Sequence, residues 1–243
     1  MLLNSSNNCH RFHPLLDSIA CLIREYRSRL PDLELLECES EFINVKGELN
    51  GEELFINNEM HCSRGLRRIH LESARLGAGL EILHCVFFPE PTFDLPIFGV
   101  DVVSGTTGIS AAIVDLSPVS KDLPLWISNQ LSDMKFPFFK KKRELPQWGK
   151  IFSRYALFIR PDDKDEEASF KHVVDQFLQV LVSSLVHLEP DCSDANATIE
   201  RLNYQRFYCS QQRRNDKTRN VLSKAFDSQW ADIYIEQFLF KHP

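Results

Sequence analysis

Apolar positions near the start of the chain repeat with the period of a helix. Between residues 14 and 30, six apolar side chains fall on one helical face: Leu15, Leu16, Ile19, Leu22, Ile23 and Tyr26. The last third of the chain has a similar pattern, which predicts helices over residues 165–187, 195–226 and 228–240. Residues 1–13 are mostly polar and predict a flexible leader.

Short apolar runs replace the helical period between residues 41 and 116. Turn-forming residues separate these runs at positions 50–51, 77–79, 89–91 and 104–105. This spacing is typical of an antiparallel meander, and residues 150–161 predict one further strand. Helices before and after a continuous meander predict an α/β/α sandwich (α+β), with a central antiparallel β-sheet flanked by helices on both faces. No linker interrupts residues 14–243, so we expect a single domain there.

Strand register brings several polar residues of the meander into one row. Directly opposed residues in an antiparallel hairpin have position numbers with a constant sum. We place the turn centres at position 78, between positions 92 and 93, and between positions 105 and 106. The predicted row then reads Glu72, His84, Asp101 and Ser110, with His70 beside Glu72 on the same face.

Two interpretations fit such a row. One is the polar, solvent-facing side of a half-buried sheet. The other is a pocket that handles protons, because carboxyl and imidazole groups held together in apolar surroundings couple and their pKa values separate. A one-residue bulge in any strand would break the row. The spacing alone leaves both interpretations open.

Composition and charge narrow the class of protein. The chain has 243 residues, 43% of them hydrophobic and 26% charged, as in an ordinary globular domain. Its net charge of −6 disfavours nucleic acid as the main partner. No apolar run approaches the ~20 residues of a membrane span, and the first residues lack a signal-peptide pattern. We therefore expect a cytoplasmic protein with no membrane partner.

Positive charge is concentrated in two stretches of this acidic chain. They are KKKR at residues 140–143 and RRNDKTR at residues 213–219. Each is either a solvated surface or a patch for an anionic ligand or an acidic protein partner.

Familiar cofactor and metal motifs are missing from the sequence. The seven cysteines are scattered without a C-x-x-C pair, which argues against a disulfide framework, a zinc finger and a ligated iron–sulfur cluster. The glycines at 77 and 79 are not followed by the third glycine of a dinucleotide-binding loop, since Ile82 stands there. No Walker loop, H-E-x-x-H or G-x-S-x-G motif is present. We expect no bound metal and no permanently bound cofactor.

Five stretches of the sequence resemble the ferredoxin-dependent bilin reductases. They are HLESARLGAGLEILHCVFFPEP (70–91), LPIFGVDVVSG (95–105), GISAAIVDLSP (108–118), RELPQWG (143–149) and NDKTRNVLSKAF (215–226). The resemblance runs from about residue 40 to the end and is weaker toward the start. Residues 119–141 match the family's pattern poorly, so the contacts of that loop are not implied.

The resemblance implies an activity that needs none of the missing motifs. Family members bind biliverdin IXα, a linear tetrapyrrole, between the sheet and the C-terminal helices. The bilin is itself the redox centre and passes through radical states, while reduced ferredoxin supplies single electrons and the protein supplies protons. The implied reaction here is two sequential two-electron reductions, first at the D-ring exocyclic vinyl group and then in the A-ring region, giving phycocyanobilin. The implied enzyme is a monomer in the cytoplasm of an oxygenic phototroph or its virus.

The resemblance also assigns roles to individual residues. Glu72 and His84 match the pair that donates to the vinyl group and hydrogen-bonds the D-ring lactam. Asp101 matches the essential aspartate that protonates the bilin pyrroles, and His70 would join the proton network of His84.

The basic stretches gain roles in the same way. Arg143 and Lys217 match positions that hold the bilin propionates, with Ser110 nearby, and carboxylates suit both side chains. Asn215 and Asp216 would line the helical side of the pocket. Other surface Lys and Arg residues at the pocket mouth would meet acidic ferredoxin.

Two other functions share the resemblance. One is reduction of the same substrate to another product, such as phycoerythrobilin, in which the vinyl group survives; the presence of both Glu72 and His84 favours vinyl reduction. The other is a non-catalytic bilin carrier, which would not need Glu72, His84 and Asp101. Covalent attachment through Cys85 is disfavoured because a strand neighbour points away from His84.

Overall fold

A long antiparallel sheet forms the centre of the protein in a computed structural model that describes residues 12–49, 51–77, 79–185 and 188–243. The strands are β1 (Glu34–Leu35), β2 (Asn44–Leu49), β3 (Glu52–Ser63), β4 (Leu66–Leu76), β5 (Glu81–Pro89), β6 (Ile97–Gly105), β7 (Gly108–Ser117) and β8 (Leu157–Ile159). The α-helices are α1 (Pro14–Arg27), α2 (Leu125–Asp133), α3 (Lys164–Leu185), α4 (Asn196–Gln212), α5 (Asp216–Ala225) and α6 (Ser228–Ile233).

The eight strands follow the chain almost in order. They are arranged β1-β3-β4-β5-β6-β7-β8, with β2 also paired to β3, and all of these pairs are antiparallel. The predicted meander is therefore confirmed. Most neighbouring strands are joined locally, so each of those registers is set by the turn between them.

Helices cover both faces of the sheet and give the predicted sandwich. On one face, α1, α2 and α3 bury side chains such as Leu71, Cys85 and Val100. On the other face, α4, α5, α6 and the residues that follow pack on Ala74 and Val86. Fully burying an aliphatic side chain contributes ~1.5–3 kcal/mol, so these two apolar layers dominate the stability of the domain.

The N-terminal helix starts where the sequence predicts. Pro14 occupies the first turn, where its missing N–H costs no hydrogen bond. The predicted leader lies outside the described residues except for Phe12 and His13. Phe12 packs edge-on against Phe55, with ring centroids 5.5 Å apart, and the His13 backbone N–H donates to Glu81 Oε2 at 2.7 Å.

Two predicted elements differ in the structure, and one helix was not predicted. The helix predicted over residues 195–226 is broken into α4 and α5, because the backbone tightens to i→i−3 hydrogen bonds at Arg214 and Asn215, and Asn215 leaves the helical region with a ψ of 86°. The strand predicted over residues 150–161 is reduced to β8, since Ser153 donates to buried Asp115 through both its backbone N–H and its hydroxyl. Helix α2 was not predicted.

The last helix changes its winding at the point where it meets the sheet. Helix α6 continues as a π-helix over Tyr234–Leu239, and such wide turns frequently occur at functional sites. The ring of Tyr234 stacks on Trp230 and Phe238, with centroids 4.7 and 5.3 Å away. Within the described ranges, no helix has the length and apolar character needed to cross a bilayer.

Candidate active site

Two of the three predicted registers are confirmed. Glu72 on β4 lies directly opposite His84 on β5, and His84 lies directly opposite Asp101 on β6. His70 is two residues from Glu72 on the same strand, and its ring centroid is 5.6 Å from that of His84. Four ionisable side chains are therefore grouped on the sheet face that meets the C-terminal helices.

The prediction that Ser110 opposes Asp101 was wrong, since Asp101 faces Ile113. The hairpin turns later than expected, with Gly105 paired to Gly108, and the register shifts once more beside Ser110. Gly108 has a φ of +103°, which only glycine adopts freely, so the turn is fixed at that residue. The later turn and the bulge together move Ser110 out of the row.

Glu72 and His70 belong to one buried hydrogen-bonded chain. The Tyr234 hydroxyl donates to Glu72 Oε2 at 2.7 Å and accepts from Asn58 Nδ2 at 2.8 Å. Asn58 Nδ2 also donates to the carbonyl of Phe42, and Asn58 Oδ1 lies 2.7 Å from His70 Nε2. Because the Asn58 amide nitrogen faces acceptors, its oxygen accepts, and His70 carries its proton on Nε2.

Burial sets different proton affinities within this group. Desolvation raises the pKa of Glu72 above its usual range, although the charge of His84 and the Tyr234 hydroxyl oppose the rise. Desolvation lowers the pKa of His70 well below normal, and Arg68 adds to that effect. Burial also acts to lower the pKa of His84, yet the Asp101 carboxylate and Glu72 together raise it. His84 is therefore the stronger base of the two imidazoles, and His70 stays neutral.

Asp101 is the member of the group that reaches solvent. Its Oδ1 lies 2.6 Å from His84 Nδ1, and its side chain is 42% exposed against 11% for His84. Two further ring nitrogens, His70 Nδ1 and His84 Nε2, are buried without a hydrogen-bond partner among the described residues. The group can therefore store protons inside the sheet face and release them at the Asp101 end.

A strip of incompletely covered apolar side chains lies beside Asp101 and extends from β5 to β8. The strand registers place these residues on the same face of the sheet as Asp101; they are Ile82, Val103, Ala111, Ile113 and Phe158. All five are only partly buried, whereas Val102 and Ala112 on the opposite face are fully buried. Exposed apolar surface beside a few placed polar groups is typical of a site for an organic ligand.

Arg143 lies at the edge of this strip. Its guanidinium carbon is 5.1 Å from the centroid of the Phe158 ring, and Nη1 donates to the Ser110 carbonyl at 2.6 Å. Ser110 and Arg143 are therefore neighbours, as the resemblance implies, although Ser110 contributes its backbone. In the described ranges no carboxylate forms an ion pair with Arg143, so its charge is available to an anion.

The other three predicted binding residues stand at the start of α5. Asn215 is partly buried, while Asp216 and Lys217 are exposed. No hydrogen bond or ion pair between described residues joins them to Glu72, His84 or Asp101. The structure thus places them at the edge of the C-terminal layer without joining them to the ionisable group.

Cys85 lies on the face away from this group, as predicted. It is fully buried among the residues that pack on α1 and α3, and desolvation raises the pKa of its thiol well above normal. A buried, protonated thiol is a poor nucleophile, which argues against covalent attachment of a ligand there.

Sequence reasoning missed Asn58 and Tyr234. A signal for Asn58 exists, since the Arg64-Gly65 turn sets it opposite Glu72, but a bulge in that hairpin complicates the register. For Tyr234 there is no local signal, because it is 162 positions from Glu72 along the chain.

We expect Tyr234→Phe to raise the pKa of Glu72 further and to destabilise the fold. The variant removes the hydroxyl that donates to Glu72 and leaves an Asn58 donor without one of its acceptors, which costs ~1–3 kcal/mol. Denaturant unfolding measures the loss, and carbon-13 NMR of labelled glutamate follows the carboxyl. Tyr204→Phe, in the same layer, is the control. An unchanged Glu72 titration would contradict the assigned hydrogen bond.

We expect His84 to stay protonated to a higher pH than an ordinary histidine. Its pKa is higher in the folded than in the unfolded chain, so protonation of His84 stabilises the fold. This contribution is fully present below about pH 6.5 and is lost as the pH rises through the pKa of the folded state. Proton NMR of the imidazole ring measures this titration. In Asp101→Asn, burial still lowers the pKa of His84 but the Asp101 carboxylate no longer raises it, so this pKa should fall below the usual value for histidine. Identical titration in both proteins would contradict this account.

Comparison with known proteins agrees with this architecture. A family model described as ferredoxin-dependent bilin reductase matches residues 21–241. A phycocyanobilin:ferredoxin oxidoreductase of Prochlorococcus marinus (strain MIT 9313) is 53% identical over 231 residues, which cover 95% of this chain and 88% of that protein. Its counterpart from Synechococcus sp. (strain CC9902) is 51% identical over 98% of this chain and 97% of its own length.

A solved structure has the same fold. The crystal structure of phytochromobilin synthase from tomato in complex with biliverdin superposes with a TM-score of 0.73 over 92% of this chain and 82% of that chain. The identity is 17%, so this likeness concerns the fold alone. The match of the family model over most of the chain and the identity to the two curated relatives carry the assignment: the chain belongs to the ferredoxin-dependent bilin reductase family.

Proposed function

We propose that this protein reduces biliverdin IXα to phycocyanobilin, with reduced ferredoxin as the electron donor. The reaction proceeds in two sequential two-electron steps, at the D-ring exocyclic vinyl group and then in the A-ring region, through bilin radicals. The names of the relatives support the product, and the biliverdin bound to the tomato enzyme supports the substrate.

One observation carries the proposal. Glu72, His84 and Asp101 form a directly opposed row across three strands, next to an apolar strip that is not fully covered. Each two-electron step also consumes two protons, and a pigment that is its own redox centre needs proton donors in contact with it. A carrier would bind to the strip without needing such a group.

The row divides the work of proton delivery. Buried Glu72, with its raised pKa, holds a proton more firmly than an exposed glutamate and would give it to the vinyl carbon. His84 holds a proton against Asp101 and hydrogen-bonds the D-ring lactam. Asp101, at the exposed end, protonates the pyrrole system, and neutral His70 completes the network behind His84.

The basic residues orient the pigment. Arg143 lies at the edge of the strip and would hold a propionate with its free donors, and Lys217 would hold the other as a point charge. Asn215 and Asp216 would face the bilin from the start of α5. The enzyme would act as a monomer in the cytoplasm, where reduced ferredoxin is present.

Anaerobic turnover tests the proposal. The protein is incubated with biliverdin and reduced ferredoxin, and the product is separated by chromatography and identified by its mass and absorption spectrum. Phycocyanobilin is the expected product. A vinyl-retaining bilin such as phycoerythrobilin would show that this chain has another product specificity, and unchanged pigment would show a carrier.

A further inference from the structure

We propose that a cavity floored by Arg67 and Arg68 is the anchoring site for an acidic side chain of the ferredoxin donor. The cavity has a volume of about 540 Å³ and opens between β4 and the C-terminal residues. Met60, Phe238 and Lys241 are also among its lining residues. The inference rests on the proposed function, because it gives the electron donor a docking point.

A β-bulge places the two arginines together. Leu66 opposes Pro89 and Arg68 opposes Phe88, so Arg67 is an extra residue on β4. Neighbouring strand residues normally point to opposite faces, but a bulge can turn both to the same face. Both guanidinium groups accordingly reach the C-terminal layer. Arg67 donates to Gln205 Oε1 at 2.9 Å, and Arg68 donates to the carbonyl of Phe238.

Both arginines have unused donors, and within the described part of the chain no carboxylate lies within ion-pair distance of either, although the charge of Glu90 acts on Arg67 from further away. Arg67 Nη2 and Arg68 Nε are buried without a hydrogen-bond partner, and neither residue forms an ion pair with a described carboxylate. Arg68 is only 5% exposed. Its pKa is lowered to about 10, by burial and by the charge of Arg67. Two like charges held close together at a buried site destabilise the fold when no anion accompanies them. A carboxylate that accepts hydrogen bonds from both guanidinium groups would offset that free-energy cost.

Outside the proposed propionate ligands Arg143 and Lys217, several cations of the basic stretches that stand out in the sequence are less available. Lys140 and Lys141 form ion pairs with Asp162 and Asp163, and Arg219 pairs with Asp232. These cations are already partly neutralised within the chain. Arg67 and Arg68 are not, so an acidic partner gains more from contact with them.

The rim of the cavity limits what can enter. Glu37 and Glu39 are exposed there, and Glu39 lies 3.9 Å from Lys241 Nζ. The negative charge is at the rim and the unpaired positive charge is at the floor. A single protruding carboxylate fits this distribution better than a flat acidic surface.

The cavity is close to the ionisable group. The Phe238 ring lies between them, with its centroid 5.6 Å from the Arg68 guanidinium carbon and 5.6 Å from the His70 ring centroid. Along β4, Arg68 is four residues from Glu72, which is about 13 Å. A donor anchored here would release its electron near the end of the pigment where Glu72 acts.

Titration calorimetry with oxidised ferredoxin tests the site without turnover. For Arg67→Gln we expect the Kd for ferredoxin to rise at least tenfold and its dependence on salt to weaken, while the Kd for biliverdin changes less than twofold. Arg67→Lys keeps the charge but loses the paired N–H donors of the guanidinium group, and we expect an intermediate rise in the Kd for ferredoxin. Arg29→Gln removes an exposed charge just after α1, across the sheet, and should match the wild type.

Other outcomes would overturn the proposal. An unchanged Kd for ferredoxin in Arg67→Gln would overturn it. If the wild type binds inorganic phosphate and this variant does not, the cavity would then be a site for small anions only. A selective loss of biliverdin binding would assign the cavity to the pigment. A wild-type protein that binds ferredoxin but leaves biliverdin unchanged would contradict the proposed function and not the docking site. If Arg67→Gln fails to fold, the folded Arg67→Lys variant is compared with the wild type instead, and an unchanged Kd for ferredoxin in that variant would overturn the proposal.

Discussion

Replacing Asp101 with asparagine is expected to reduce turnover of biliverdin by a factor of about 10²–10⁴, the usual contribution of a positioned acid or base. The amide keeps the size of the side chain but cannot accept a proton from its surroundings and pass it to the pigment. It also removes the negative charge 2.6 Å from His84 Nδ1, so the neighbouring imidazole loses its proton at lower pH. One substitution therefore disables two donors.

Binding and turnover separate in this variant. Because the side chain is 42% exposed and the apolar strip is untouched, biliverdin should bind with nearly wild-type affinity and then stall early in reduction. Absorption titration measures binding, and anaerobic turnover with reduced ferredoxin measures the rate. Asp122→Asn, in an exposed loop, serves as the charge-matched control. Normal turnover in Asp101→Asn would remove this residue from the mechanism.

Replacing Glu72 with glutamine is expected to change the product more than the rate of the first electron transfer. The amide still accepts from the Tyr234 hydroxyl, so the buried chain through Asn58 is preserved. The carboxyl group, whose pKa burial raises, is lost as a proton donor. Chemistry in the A-ring region should proceed while the D-ring vinyl group survives, with the yield of phycocyanobilin falling by about 100-fold.

Product analysis decides this case. Chromatography with mass spectrometry distinguishes a vinyl-retaining, partly reduced bilin from phycocyanobilin. Glu53→Gln changes an exposed carboxylate on β3 and should give the wild-type product. Full phycocyanobilin production by Glu72→Gln at the normal rate would mean that another group protonates the vinyl carbon.

The pattern of apolar residues and turns was sufficient to predict the sandwich and the first two registers. Antiparallel hairpins are local, so a turn residue fixes the partners on both sides of it. Glu72, His84 and Asp101 could therefore be placed in one row from their positions along the chain. The same logic failed at Ser110, because the turn centre was assigned too early and a bulge added another shift.

Other features of the site were decided only by the tertiary structure. Tyr234 reaches Glu72 from the far end of the chain, and the burial of His70 and Glu72 depends on how the terminal helix docks on the sheet. Desolvation dominates their pKa values, and desolvation is a property of the packed layers. The bulge that unites Arg67 and Arg68 likewise has no clear signal in the sequence. The chain by itself determined which groups face one another across neighbouring strands, while long-range packing decided which of them hold protons.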